Sequence, residues 1–588
     1  MSNLCGFIGT VDSTASESAL KHLYGVIEHH SDCVTLQNTN STIIAQRSNT
    51  VRFFRNADAT IVVVGHINGP HRQYREPMEG LLAAYRRVGP SFLEDCSGQF
   101  AVIILLSGVQ HAFVGVDRLA SVPLFYQTYE KGILFSTLNL DDTGNSEQKL
   151  LNLLYFNSGL ISNDAKALRP GQAVVWRDGV ATPHFYWRAN MHGASPAGSF
   201  KQREILFKKH LQRATNRYGG RPQVGVLVGE DSPSVYLANI LAAQHLSQPL
   251  PLFSVDYQGR PTQIRGLEAP SDTPGFNHYR IEVSPEHFIH SLTKATKVLR
   301  APIGYLPALN ALFASELCMK NGLNTLLSAQ GCKTLFLHSS RYAIRSWGIG
   351  GWLMKSWLNV WQSASSLDEN LLNAAESGHW LERLGLDSVF TPSFLENCDL
   401  EQPKGRLLDT FREANCQTTL GKLQAVNLEH NLSTCQLANY RLVSQVSGIS
   451  FFFPYLSSKL IAFSLGLKDS WKIDLGRHQA FITRLLSEEL SELSYEHTAA
   501  PLGLWLHSDP QFKAWVDKLI CSMKSHNIFN LSFLDHIIQK GGHELSPHSQ
   551  DKVLWLLISF ALWLELESEH LDKTMKTSLQ SKRTIQIA

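Results

Sequence analysis

The chain changes its grammar near residue 200, and that change constrains the fold more than any single residue. Before it, β-branched or aromatic runs recur between turn signals: Ile61–Val64, Phe100–Leu106, Ala173–Trp176 and His184–Trp187. These read as strands, with Leu168-Arg-Pro-Gly-Gln172 as a turn. After it, helical patterns alternate with short apolar runs at Gln223–Val228, Leu252–Val255 and Asn324–Ser328. Such runs suit parallel strands buried on both faces. A Gly/Ser-rich stretch, His192–Ser199, separates the two textures. The pattern predicts a domain at 1–190, a linker at 191–205, a second domain at 206–566 and a polar tail at 567–588. No internal repeat is visible.

At 588 residues each domain has length enough for a full core. The net charge of +2, from 53 basic and 51 acidic residues, provides no field to gather nucleic acid. The nine cysteines (5, 33, 96, 318, 332, 398, 416, 435 and 521) are odd in number and form no CxxC pair. They read as thiols of a cytoplasmic protein rather than a disulfide frame or zinc site. The N-terminus lacks a basic region followed by an apolar run, so no signal peptide is expected. Val553–Leu564, the longest apolar stretch, is too short to span a bilayer and predicts a buried helix.

Cys5-Gly-Phe-Ile-Gly9 is the first element with chemical content. A cysteine at the head of a chain holds a nucleophile beside its own base, because its α-amine can take the thiol proton. Met1-Ser-Asn-Leu4 stands before it, so a free amine requires a cut after Leu4. The other reading of Cys5 is a buried structural thiol.

Further landmarks follow in order: Ser97-Gly-Gln-Phe-Ala101, Val116-Asp-Arg-Leu-Ala-Ser-Val-Pro-Leu-Phe-Tyr126, Leu168-Arg-Pro-Gly171 with Phe185-Tyr-Trp187, and Ser450 to Leu456. Together with Cys5-Gly-Phe-Ile-Gly9 they resemble the asparagine synthetase family, whose relatives include β-lactam synthetases and lasso-peptide cyclases. The resemblance implies a mixed α/β and α+β protein. Its first domain would be a class II glutamine amidotransferase-like αββα domain of the Ntn type. Its second would be a Rossmann-like α/β synthetase domain of the nucleotide-hydrolase type with a helical cap.

The resemblance also assigns residues. In the glutaminase half Cys5 is the nucleophile, and Arg47, Gly65 and His66 line the substrate site. The family's N-G-E-I-Y-N stretch reads Val64-Gly-His-Ile-Asn-Gly69 here, so Val64 replaces an oxyanion donor and His66 an acid. Loss of one such donor costs about 10²–10³ in rate. In the synthetase half the family's pyrophosphate loop reads Leu227-Val-Gly-Glu-Asp-Ser232, one residue short and carrying Glu230. Its second loop reads Ser328-Ala-Gln-Gly-Cys-Lys-Thr-Leu-Phe336, with Lys333 in place of a metal-binding Asp and Thr334 in place of a Glu. Leu227, Gly229, Asp231, Ser232, Val255, Ser328 and Lys333 are thereby expected at the nucleotide, with Asp231 toward a metal. Two further family lysines are replaced, one by Ala480 four residues before Arg484, the other within Tyr495–Pro501. His478 and His497 lie close by as candidate acids or bases.

Three functions remain open at this point. The first is an ATP- and magnesium-dependent amide ligase that adenylates a small-molecule or peptide carboxylate in specialised metabolism. The second is a catalytically dead relative with no cofactor, acting through a protein partner or a second copy of itself. The third is an ATP-independent acyl or amide transfer using Cys5, Cys332 or a histidine. No nucleic-acid or membrane partner is expected.

Overall fold

The structure is a computed structural model. It describes residues 4–9, 33–38, 41–46, 50–69, 73–107, 109–129, 132–138, 146–158, 166–189, 198–216, 218, 223–229, 231–244, 248–262, 264–267, 275–299, 301–337, 381, 384–473, 480–490, 499–539 and 550–566.

The first part is a sandwich built from β1 (Leu4–Gly9), β2 (Cys33–Asn38), β3 (Ser41–Gln46), β4 (Val51–Arg55), β5 (Ala59–Asn68), β6 (Ser97–Leu106), β7 (His111–Val116), β8 (Phe125–Tyr129), β9 (Gly132–Ser136), β10 (Lys166–Ala167), β11 (Gln172–Arg177) and β12 (Val180–Phe185). One sheet runs β10-β8-β9-β1-β3-β2 and the other β12-β11-β7-β6-β5-β4, with every pairing antiparallel. Strand alternation decides which side chain meets which layer. Leu4 and Ile8 of β1 enter the core between the sheets with Val62, Val64 and Val114. Cys5 and Phe7 point the opposite way and pack with Ile44, Phe125 and Leu134. The helix Pro77–Val88 covers the outer face of the second sheet through Leu81, Leu82 and Tyr85.

The second part is a parallel sheet in the order β15-β14-β13-β16-β17. Its strands are β13 (Val224–Leu227), β14 (Leu250–Tyr257), β15 (Phe276–Val283), β16 (Thr325–Leu327) and β17 (Ser450–Phe452). The chain builds outward from β13 in one direction, then returns to lay β16 on its other side. In such sheets the crevice at that reversal, beyond the carboxyl ends of the strands, is where ligands bind. The apolar runs read as parallel strands therefore do form one, and the expected helix at 553–564 is buried within residues 550–566.

Two features join the parts. The helix Ser146–Phe156 lies early in the sequence, yet Leu150, Leu151, Leu153, Leu154 and Phe156 belong to the core of the second part. Asn439 ties its end in place: Nδ2 donates to Asn157 O at 2.9 Å, and Oδ1 accepts from Gly304 N at 2.9 Å and Tyr305 N at 3.2 Å. At the surface, Arg169 pairs with Glu413 and Glu429, both at 2.6 Å. Among the described residues no helix is long and apolar enough to cross a membrane.

Candidate functional site

The sheet reversal brings two loops together. After β13 the chain turns through Gly229, at φ +92°, where a Cβ would lie 2.9 Å from Thr262 Cγ2. Asp231 then caps the helix Ser232–Ala242, its Oδ1 accepting from Ser234 N at 3.1 Å. Pro233 suits this first turn because it has no N–H to leave unpaired. After β16, Ser328 Oγ accepts from Gln330 N at 3.0 Å, and Gly331 at φ +87° starts the single turn Cys332–Leu335. Lys333 leaves that turn toward β13, and its Nζ stands 3.4 Å from Asp231 Oδ2. The crevice thus holds an ammonium beside a helix N-terminus, two features that each attract an anion.

A polar network fixes the turn that carries Lys333. The rod behind it is α-helical over Thr419–Val426 and Ala438–Ser447, but winds as a π-helix over Asn427–Leu437. From that segment Asn427 Nδ2 donates to Thr334 O at 3.1 Å and Gln436 Nε2 to Thr334 Oγ1 at 3.0 Å. Asn431 links the two amides, donating to Asn427 Oδ1 at 3.0 Å and accepting from Gln436 Nε2 at 3.1 Å. Thr334 is buried and committed to this network, so it does not replace a metal-binding carboxylate.

These residues do not fit magnesium. The ion takes oxygen ligands in tight octahedral geometry, and a lysine ammonium occupies the space beside the remaining carboxylate. Among the described residues no group of three His, Cys, Asp or Glu could hold a metal. Leu227, Ser232 and Ser328 are buried around the same crevice, and Val255 is buried one strand away in β14. Val255 O accepts from Thr262 Oγ1 at 2.6 Å.

The glutaminase half is arranged differently. Cys5 is fully buried in the middle of its sheet, with β3 and β9 on either side. The preceding Leu4 is tied down, its N donating to Thr137 Oγ1 at 2.9 Å and its O accepting from Thr137 N at 2.9 Å. Burial alone pushes the Cys5 thiol far above its ordinary value, so the nucleophilic thiolate is suppressed. Gly65 N, expected at the substrate site, is committed to Thr50 O at 2.6 Å, while Val64 faces the inter-sheet core. His66 lies instead against Phe452 of the second part, the rings tilted with centres 4.9 Å apart. The structure therefore gathers Asp231, Ser232, Ser328 and Lys333, but gives Cys5 and Val64 to different clusters. Arg47, Glu230, His478 and His497 lie outside the described residues.

The asparagine synthase family matches residues 211–565. The chain belongs to that family. A glutamine amidotransferase domain also matches over 69–187, a span that begins after Cys5, Gly65 and His66. No curated protein matches the chain. Among solved structures it is similar to a glutamine phosphoribosylpyrophosphate amidotransferase from B. subtilis complexed with ADP and GMP, at 10% identity and TM-score 0.21, covering 38% of this chain and only 60% of that one. It is similar also to an allosteric regulatory enzyme of purine biosynthesis, at 10% identity and TM-score 0.22, covering 46% and 68% respectively. The asparagine synthase family is ATP-dependent.

Some working residues had no signal as motifs. Asn427, Asn431 and Gln436 hold the Lys333 turn, and nothing in the mixed sequence Asn427–Leu437 marks them out. Arg118 clasps the two parts, donating to Cys96 O at 2.7 Å, Glu94 O at 2.6 Å and Ser458 Oγ at 2.9 Å. Asp117 beside it accepts from the backbone of Phe100, Leu119 and Ser121, and burial raises its carboxyl to about 6.

Proposed function

We propose that this chain is an amide-bond-forming ligase of the asparagine synthase kind that uses a preformed amine and draws no ammonia from glutamine. The observation that carries this reading is the Lys333–Asp231 contact at the sheet reversal. An ammonium there supplies positive charge where a metal acid is missing, beside helix N–H groups suited to phosphate. ATP would place its phosphates against Lys333 and the start of the helix Ser232–Ala242, and would supply the activation of a carboxylate. The buried Cys5, the committed Gly65 amide and the apolar Val64 support an amine that arrives from elsewhere. A small-molecule or peptide acid in specialised metabolism is the substrate class this reading takes.

One observation favours a second reading, a non-catalytic relative working through a protein partner. Both oxygens of Asp231 are already engaged, by Ser234 N and by Lys333. Cys332 is fully buried with its thiol raised well above the ordinary value, which leaves the acyl-transfer reading without a thiolate. Nucleotide binding separates the first two. The ligase reading expects ATP to stabilise the chain in the presence of EDTA, and Lys333→Met to abolish that effect. Pyrophosphate should then be released on adding carboxylates with an amine. Absence of any ATP-dependent stabilisation, with or without magnesium, overturns the ligase and leaves the partner reading.

A further inference from the structure

A separate cavity of about 450 Å³ lies where the end of the β5–β6 pair meets the second part. Its size is that of a small-molecule site and many times the share of one water. Three side-chain atoms on its lining are buried without a hydrogen-bond partner: Gln99 Oε1, His210 Nδ1 and Ser457 Oγ. Native proteins pair the great majority of such atoms, so three around one cavity call for a polar occupant. They come from three elements: β6, the helix Phe200–Thr215 and the turn before the helix Ser458–Gly466. An occupant would therefore bridge both parts of the chain.

The charges that act on His210 favour an anion at that end of the cavity. Burial depresses the proton affinity of His210, and Arg213 and Lys459, which also line the cavity, depress it further together with Lys209. Two further lining charges are already spent. Asp117 is held by three backbone amides and Ser121, and Arg118 by two carbonyls and Ser458. Glu94 and Asp95 are exposed acids of the lining, and neither is among the charges that act on His210. His66 lies against Phe452 and Phe452 against Tyr218, both pairs tilted with ring centres 4.9 Å apart, and these rings also line the cavity.

We propose that this cavity binds a small acid. Its carboxylate or phosphate would lie against His210 and Ser457, in the field of Arg213 and Lys459, and a donor at its other end would meet Gln99 Oε1. The site is independent of the Lys333 crevice, and its test removes that crevice from play.

The experiment uses the full chain carrying Lys333→Met and measures thermal stability against inorganic phosphate and against succinate, each compared with chloride at equal ionic strength. A saturable rise with either anion is expected, and the one that acts names the acid. Lys459→Met, at an exposed position, and Ser457→Ala should each weaken half-saturation by about tenfold, the worth of one charge or one hydrogen bond at such a site. No saturable response to either anion overturns the proposal. A response unchanged in both variants overturns it as well, because the anion then binds elsewhere.

Discussion

Lys472 gives a sharp quantitative test of how the second part is packed. It is 1% exposed, and its Nζ donates to Gln424 Oε1 at 2.8 Å and to Leu465 O at 3.4 Å. Burial lowers its ammonium from 10.5 to about 8, with Asp469 and Cys416 offsetting part of that cost. Between about 8 and about 10.5 the unfolded chain holds a proton that the folded chain has released, so stability rises with pH across that window. Each pH unit there is worth about 1.4 kcal/mol, and the roughly 2.5 units together come to about 3 kcal/mol. Below pH 8 the whole of that cost is present. Lys472→Met removes it but leaves the Gln424 carbonyl without its donor, a loss of about 1 kcal/mol. The variant should thus be more stable than the parent at pH 7 by about 2 kcal/mol, with the gap shrinking to zero or below by pH 10.5. Urea unfolding followed by tryptophan fluorescence, in reductant, measures both proteins over pH 7 to 10.5. Other titrating groups are common to the two and cancel in the difference. A variant less stable than the parent at pH 7, or a gap that ignores pH, refutes the reasoning.

Three other outcomes are expected. Lys333→Asp should create a magnesium site beside Asp231, seen as a magnesium-dependent rise in thermal midpoint that the parent lacks; equal behaviour of the two would show that the ammonium does not block the ion. Alkylation of the native chain, mapped by mass spectrometry, should label exposed Cys521 quickly and Cys5 only after unfolding. Comparable rates would show that Cys5 is a reactive thiol. Asn439→Ala should cost about 3 kcal/mol, because it strands buried groups on Asn157, Gly304 and Tyr305. A loss below 1 kcal/mol, read from urea midpoints, would mean that Asn439 carries little of this junction.

How much was legible follows from what each strand buries. β13, β14 and β16 stand in the middle of the parallel sheet, so their sequences are continuous apolar runs and announce themselves. β15, at its edge, reads Phe-Asn-His-Tyr-Arg-Ile-Glu-Val and is largely exposed, which leaves no such run. β2 and β3 are short, and their sequences, Cys-Val-Thr-Leu-Gln-Asn and Ser-Thr-Ile-Ile-Ala-Gln, break up any apolar run, so they also escape. The motif order pointed to the two loops that follow β13 and β16. It could not show that Lys333 reaches Asp231, because that contact joins residues about a hundred positions apart through sheet topology. Nor does any local pattern announce a π-helix, whose winding answers to the buried amides of Asn427, Asn431 and Gln436. For Cys5 the motif marked the strand, while its burial came from alternation set by β3 and β9.

The helix Ser146–Phe156 has a consequence for how this protein is made and divided. Its leucines are synthesised with the first sandwich, yet the core that shelters them is completed only by residues 550–566. During synthesis that apolar face waits while about 270 residues follow before the π-helix Asn427–Leu437, against which it packs, is made, at a rate of about 5–20 residues per second. A gene cut at residue 200 would strand the helix on one product and leave a groove on the other. The two halves are therefore modules in sequence but not in assembly, and a soluble, separately expressed second half should need this helix supplied as a peptide.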